Sequence, residues 1–291
     1  MRPTATRGRG RYPWRPSGEE GRMLARRELP DEYRRWNDRW GVPFGRHRLP
    51  VQLLERSGAL GRVALARPAL RRWRGPFAFQ WNTRTRTYEY PWVRGQLVRA
   101  GARRVLEIGG ALSGLQFALA ADGMSVCNVD PFLDYGSGAY EIDPAAEHAM
   151  LNRVFGTTVE LCRTTLPEAR PTGPFDAAVC VSTLEHLRPA DIEETLAVVR
   201  DVVVPGGVVV LTVDLFLDLD PFTDVEENRW GRNVPVAWIE ELLGGELVVG
   251  DRTELLGYPE FDVRHVLTEL GSLTMGSEYP QLAQLAVVRC P

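Results

Sequence analysis

The sequence predicts an α/β fold, a mostly parallel sheet with helices, preceded by an N-terminal, mainly helical lobe. Three observations predict it. Beyond residue 95, short apolar runs alternate with helical stretches, the pattern of parallel strands joined by right-handed crossovers. Pro144, Pro189 and Pro235 each stand near the start of such a stretch, where a missing N–H costs little. Between the first apolar run and its helix lies Gly109-Gly110-Ala111-Leu112-Ser113-Gly114, where the backbone must turn sharply and leave room for a ligand.

Residues 1–22, rich in Arg, Gly, Pro, Thr and Ser without periodicity, read as a flexible tail. Residues 23–94 read as a lid and substrate lobe, with helical patches at 31–40 and 51–60. Within it, residues 77–92 place β-branched and aromatic side chains at alternating spacing, which predicts an extended segment or hairpin. A helix over 93–100 leads into the third unit, residues 95–291. Its first strand is the buried-type run Val105, Leu106 and Ile108. The spacing then predicts a helix over 115–121 and a strand over 124–129 that ends on Asp130. Further helices are expected near 144–155, 189–201 and 235–243, and strands near 157–162, 175–181 and 207–213. Residues 246–249 and 282–290 read as two more strands, and 261–270 as a helix or lid.

The glycine turn narrows the ligand. From Glu107 to Asp130 the unit has about the 20-residue spacing that separates a nucleotide-binding turn from an acid gripping a ribose diol. The turn lacks the second glycine of the dinucleotide pattern G-x-G-x-x-G, and Glu107 stands two residues before Gly109. A carboxylate there repels a pyrophosphate but accepts hydrogen bonds from a cationic amino group. These residues suit a nucleoside carrying a positively charged amino-acid tail.

Here the chain resembles the class I S-adenosylmethionine-dependent methyltransferases, whose first motif runs Glu/Asp-x-Gly-x-Gly-x-Gly. The run Phe-Asp-Ala-Ala-Val-Cys-Val-Ser-Thr-Leu-Glu-His-Leu at 175–187 is similar to that family's fourth strand and following loop. Pro-Gly-Gly-Val-Val-Val-Leu-Thr-Val at 205–213 is similar to its Pro-Gly-Gly turn and fifth strand. The resemblance covers about residues 95–290 and implies a Rossmann-like sheet closed by an antiparallel C-terminal strand pair, 246–249 and 282–290. It implies S-adenosylmethionine as cofactor, with Asp130 on the ribose hydroxyls and Glu107, Gly109, Gly110 and Gly114 around the methionine part. It further places Thr164, Thr165 and Leu166 beside the adenine and Ser182 on the same crevice. Ala111 and Ser113 depart from the pattern by replacing two motif glycines, and no acid follows the third strand directly.

Methyl transfer is an in-line displacement that depends on alignment, so the remaining task is to deprotonate a hydroxyl acceptor and exclude water. His186, after the fourth strand, is the first candidate base, and His265, in the expected lid, the second. Asp214, Asp218, Asp220 and Asp224 follow the fifth strand and read as a solvated loop rather than a metal site. Tyr88, Tyr90, Trp92, Tyr135 and Tyr140 are candidates for an acceptor wall.

The four cysteines form no C-x-x-C pair or Cys/His cluster, which argues against zinc and for a reducing compartment. No apolar run reaches the roughly 18 residues that span a membrane, and the expectation is a cytoplasmic protein. All 35 basic residues are arginine: residues 1–104 carry 25 against 8 carboxylates, the remainder 10 against 30. That asymmetry suits either an anionic ligand or pairing of the two halves with one another. The expected acceptor is a small polar metabolite such as a sugar, glycoside or natural-product intermediate, methylated on oxygen. Two alternatives stand beside it: a binding protein of the same fold without turnover, and an RNA or protein methyltransferase. Nucleic acid is disfavoured because no Asn/Asp-Pro-Pro-Tyr type of motif follows the fourth strand. A homodimer is open to such a chain.

Overall fold

The computed structural model of the chain describes residues 29–46, 67–80, 82–83, 85–133, 143–216, 218–220, 223–249 and 282–291. Their centre is a seven-stranded sheet of β1 (Arg104–Ile108), β2 (Ser125–Val129), β3 (Glu160–Cys162), β4 (Phe175–Val181), β5 (Val203–Leu215), β6 (Glu246–Val249) and β7 (Leu282–Arg289). The order is β3-β2-β1-β4-β5-β7-β6. β1 to β5 run parallel, whereas β7 is antiparallel to both β5 and β6, so the C-terminal pair closes the sheet as expected.

The strands alternate their side chains between two cores. Val105, Val126, Ala177, Val179, Val210 and Val287 belong to one, and Leu106, Cys127, Ala178, Cys180, Leu211 and Val288 to the other. The first is covered by α1 (Asp31–Trp40), α3 (Arg86–Arg99), α4 (Gly114–Ala121) and α5 (Pro144–Phe155), with α2 (Pro68–Arg74) docked on α5. The second is covered by α7 (Pro189–Val202) and α8 (Val236–Leu243), beside the short α6 (Leu166–Ala169). Each fully buried Leu, Val or Phe on these faces contributes about 1.5–3 kcal/mol relative to exposure. Pro144 and Pro189 occupy first-turn helix positions, as their placement predicts.

The N-terminal segment corrects one expectation. Among the described residues of 77–92 there is no hairpin. A 3-10 turn (Pro76–Ala78) is followed by α3, with Pro91 inside the helix. Proline at 91 deprives the Thr87 carbonyl of its helical partner, and the Asn37 side-chain amide of α1 donates to that carbonyl instead, at 2.7 Å. Tyr88, Tyr90 and Trp92 are buried in the core that α1 and α3 share with the sheet, and the Tyr90 hydroxyl donates to Asn82 Oδ1 at 3.0 Å. Tertiary packing on both sides of α3 thus outweighs a local β propensity. Residues 94 and 95 lie within this continuous helix, and Trp36 and Phe77 share a core with β1. The expected helices at 51–60 and 261–270, together with Tyr135, Tyr140 and His265, lie outside the described residues.

Candidate active site

Strained backbone collects where β1, β2 and β4 end. Ala111, Phe132 and Ser182 adopt φ of 43°, 55° and 45°, left-handed values that cost a side-chain-bearing residue about 1–2 kcal/mol each. Such strain at the C-terminal ends of parallel strands marks the position at which open α/β sheets bind ligands. Asp130 lies at its centre. Its Oδ2 accepts from the Ala111 amide at 2.8 Å and its Oδ1 from the Phe132 amide at 2.6 Å, so one carboxylate orders both bends.

The glycines serve close approach. A Cβ on Gly109 would sit 2.4 Å from the Thr183 side chain, and one on Gly110 would sit 2.7 Å from Asn128 Oδ1 and 2.8 Å from Glu107. Gly114 opens α4 against Phe77, where a Cβ would fall 2.6 Å from the ring. Ser113, in place of a motif glycine, caps α4: its Oγ accepts from the Leu115 amide at 3.1 Å and donates to Glu107 Oε1 at 3.0 Å. On the β3 side, the Asp130 amide donates to the Cys162 carbonyl, joining the two strand ends. Thr165 is exposed and forms a capping box with Glu168, while Leu166 is buried.

Glu107 is 2% exposed, and its Oε2 has no hydrogen-bond partner among the described residues. Burial pushes its carboxyl up to about 8; the Ser113 hydroxyl opposes the shift and the nearby Asp130 charge adds to it. The folded state therefore keeps this proton over a range in which the unfolded chain releases it, and stability falls as pH rises toward 8. Burial moves His148 the other way, down to about 4, so that histidine contributes a rise confined to acid pH, complete by about 6.5. Between about pH 6.5 and 8, urea denaturation should show stability declining with pH, and Glu107→Gln should make that decline shallower. An unchanged slope in the variant would mean that Glu107 is ionised throughout.

The sequence reading missed a second set of residues, contributed by α3. Arg86 donates to Glu89, donates to Ser182 Oγ at 2.6 Å and lies 3.8 Å from Asp214. Ser182 Oγ is within 3.2 Å of Glu89 Oε1 and 2.8 Å of Asp214 Oδ1, and Thr212 donates to Glu89. Glu185 Oε1 accepts from the Asp214 amide at 2.7 Å. Burial, reinforced by the Asp214 charge, pushes the Glu185 carboxyl well above the usual carboxylate range. Burial alone would weaken the charge on Arg86, but Glu89 and Asp214 outweigh it and hold the guanidinium ionised. The Ser182 hydroxyl, expected on the cofactor, is thus engaged in this network. An arginine and a glutamate three apart on a helix are a weak signal, and nothing local tied them to Ser182 or Asp214.

His186 is exposed at the end of a 3-10 turn (Leu184–His186), with Nδ1 against the Trp230 carbonyl. A carbonyl only accepts, so Nδ1 carries a proton, which in the neutral ring leaves the lone pair on Nε2. Of the acidic run, Asp214 is buried in the Arg86 network and Asp218, Asp220 and Asp224 are exposed. Among the described residues no three His, Cys, Asp or Glu side chains form a metal-holding group. No helix there is long and apolar enough to cross a membrane.

A family model described as a methyltransferase domain matches residues 67–244, more than half of the chain. No curated protein matches. Among solved structures, the chain is similar to the 1,6-didemethyltoxoflavin-N1-methyltransferase of Burkholderia thailandensis, with 16% identity over 69% of this chain and 76% of that one and a TM-score of 0.46. It is also similar to the N-methyltransferase NodS of Bradyrhizobium japonicum, with 16% identity, 69% and 88% coverage and a TM-score of 0.44. An O-methyltransferase family protein of Burkholderia thailandensis shares 12% identity, with 83% and 70% coverage and a TM-score of 0.42. With the family model matched over the glycine turn, Asp130 and the loop after β4, the chain belongs to the methyltransferase-domain family, the class I S-adenosylmethionine-dependent methyltransferases that its sequence resembles.

Proposed function

We propose that this protein methylates a hydroxyl of a small polar metabolite (a sugar, glycoside or natural-product intermediate), using S-adenosylmethionine, with His186 as general base and without a metal. The observation that carries the reading is the pair of carboxylates at the strained turn. Glu107 holds a buried, unpartnered oxygen beside Gly110, and Asp130 stands where β2 ends. These groups fit the cofactor: an ammonium group brought beside the buried Glu107 carboxyl favours its ionised form and pairs with it, and a carboxylate ordered by two amides suits a ribose diol. Neither suits a pyrophosphate. Thr165 and Leu166 are assigned to the adenine side and Gly109 and Gly114 to the shape of the turn.

When bound, the cofactor supplies an electrophilic methyl group on a sulfonium. The protein's part is to align the acceptor and take its proton. His186 is suited to that step because the Trp230 carbonyl holds the Nδ1 proton, so that the neutral tautomer offers Nε2 as the base. Residues 23–94 are assigned to acceptor selection, since α3 brings Arg86 to the same rim. Calorimetry with S-adenosylhomocysteine tests the reading. Wild type should bind, and Asp130→Ala, which removes two charge-assisted hydrogen bonds of roughly 1.5–3 kcal/mol each, should abolish measurable binding. Binding of a nicotinamide dinucleotide in its place would end the proposal.

A further inference from the structure

Ala111 stands where the family motif has glycine, yet it adopts the left-handed backbone. Both of its peptide groups are held. Its amide donates to Asp130, and its carbonyl accepts from Asn128 Nδ2 at 2.8 Å and Gln116 Nε2 at 3.1 Å. Gln116 is itself oriented: its Oε1 accepts from Asn128 Nδ2 at 3.2 Å and faces His148 Nε2 at 2.9 Å. An amide oxygen only accepts, so His148 donates, and its ring packs on Phe117 at 5.3 Å. Gln116, Asn128 and His148 are all buried. They come from α4, β2 and α5: Gln116 and Asn128 reach the Ala111 carbonyl directly, and His148 acts on it through Gln116.

We propose that Asn128, Gln116 and His148 are positioning residues: they hold the Ala111 turn, and through its amide the Asp130 carboxylate, in the shape that receives the cofactor. The inference rests on the cofactor reading above. The clamp takes over what a glycine supplies by conformational freedom, because a side-chain-bearing residue left unheld relaxes out of the left-handed region. Burial keeps the His148 ring neutral at physiological pH, and the Gln116 Oε1 acceptor places its proton on Nε2.

The test is S-adenosylhomocysteine calorimetry on a small set of full-length variants. Asn128→Ala should bind about tenfold more weakly than wild type, and adding Ala111→Gly should return affinity to within about threefold. Ala111→Gly alone provides the reference affinity for each paired variant. His148→Phe, which keeps the packing on Phe117 and loses the hydrogen bond, should weaken binding by about threefold, again recovered by Ala111→Gly. Normal binding by Asn128→Ala, or a loss that Ala111→Gly leaves unrecovered, overturns the proposal. Should Asn128→Ala fail to fold, His148→Phe and Gln116→Met carry the same paired comparison. Failure of wild type to bind removes the cofactor reading and this inference together; wild-type binding with unaffected clamp variants removes only the inference.

Discussion

Replacing Arg86 with leucine should lower the stability of the protein by about 3–5 kcal/mol, because it strands buried carboxylates without their cation. Glu89 and Asp214 are 0% and 1% exposed, and neither can turn to water while α3 stays packed on β5. The expected result in urea denaturation is a lower midpoint at an unchanged slope. Arg86→Met combined with Glu89→Leu should recover part of the loss, since one stranded charge is then gone. A single-variant loss below about 1 kcal/mol would show that water reaches this network and that the pair behaves as a surface contact.

His186→Ala should reduce turnover by roughly 10²–10⁴-fold, the usual contribution of a positioned base and on the order of 3–5 kcal/mol of barrier. S-adenosylhomocysteine affinity should stay close to wild type, since the ring reaches the Trp230 carbonyl and not the glycine turn. Chelator should leave the rate unchanged. Normal turnover in the variant would move the base to His265 or identify the acceptor as an amine. Loss of activity with chelator would assign the Asp214 to Asp224 run to a metal and remove the metal-free reading.

The strands and helices of the sheet were legible because each is written locally: an apolar run, a proline at a helix start, a glycine turn. β1, β2 and β4 fall where their apolar residues placed them, and α5, α7 and α8 begin close to their prolines. α3 was not legible. Its aromatic and β-branched residues favour a strand by themselves, and the contact that offsets Pro91 comes from Asn37, 50 positions before its acceptor Thr87. The candidate site divides along the same line. Gly109, Gly110 and Asp130 belong to one continuous unit, and the sequence shows it. The contact between Thr212 and Glu89 spans 123 positions, and Arg86 read as one more arginine in a basic segment. The hold of Asn128, Gln116 and His148 on Ala111 is likewise invisible before folding, because none of them belongs to a recognised motif.

The most direct test of the central claim is a crystal structure of the protein with S-adenosylhomocysteine bound. The account predicts the ribose hydroxyls on the Asp130 carboxylate, the amino group directed at Glu107 and the thioether sulfur facing the loop that carries His186. Density for the ligand away from the 107–114 turn, or a ribose bonded to some other acid, would contradict it.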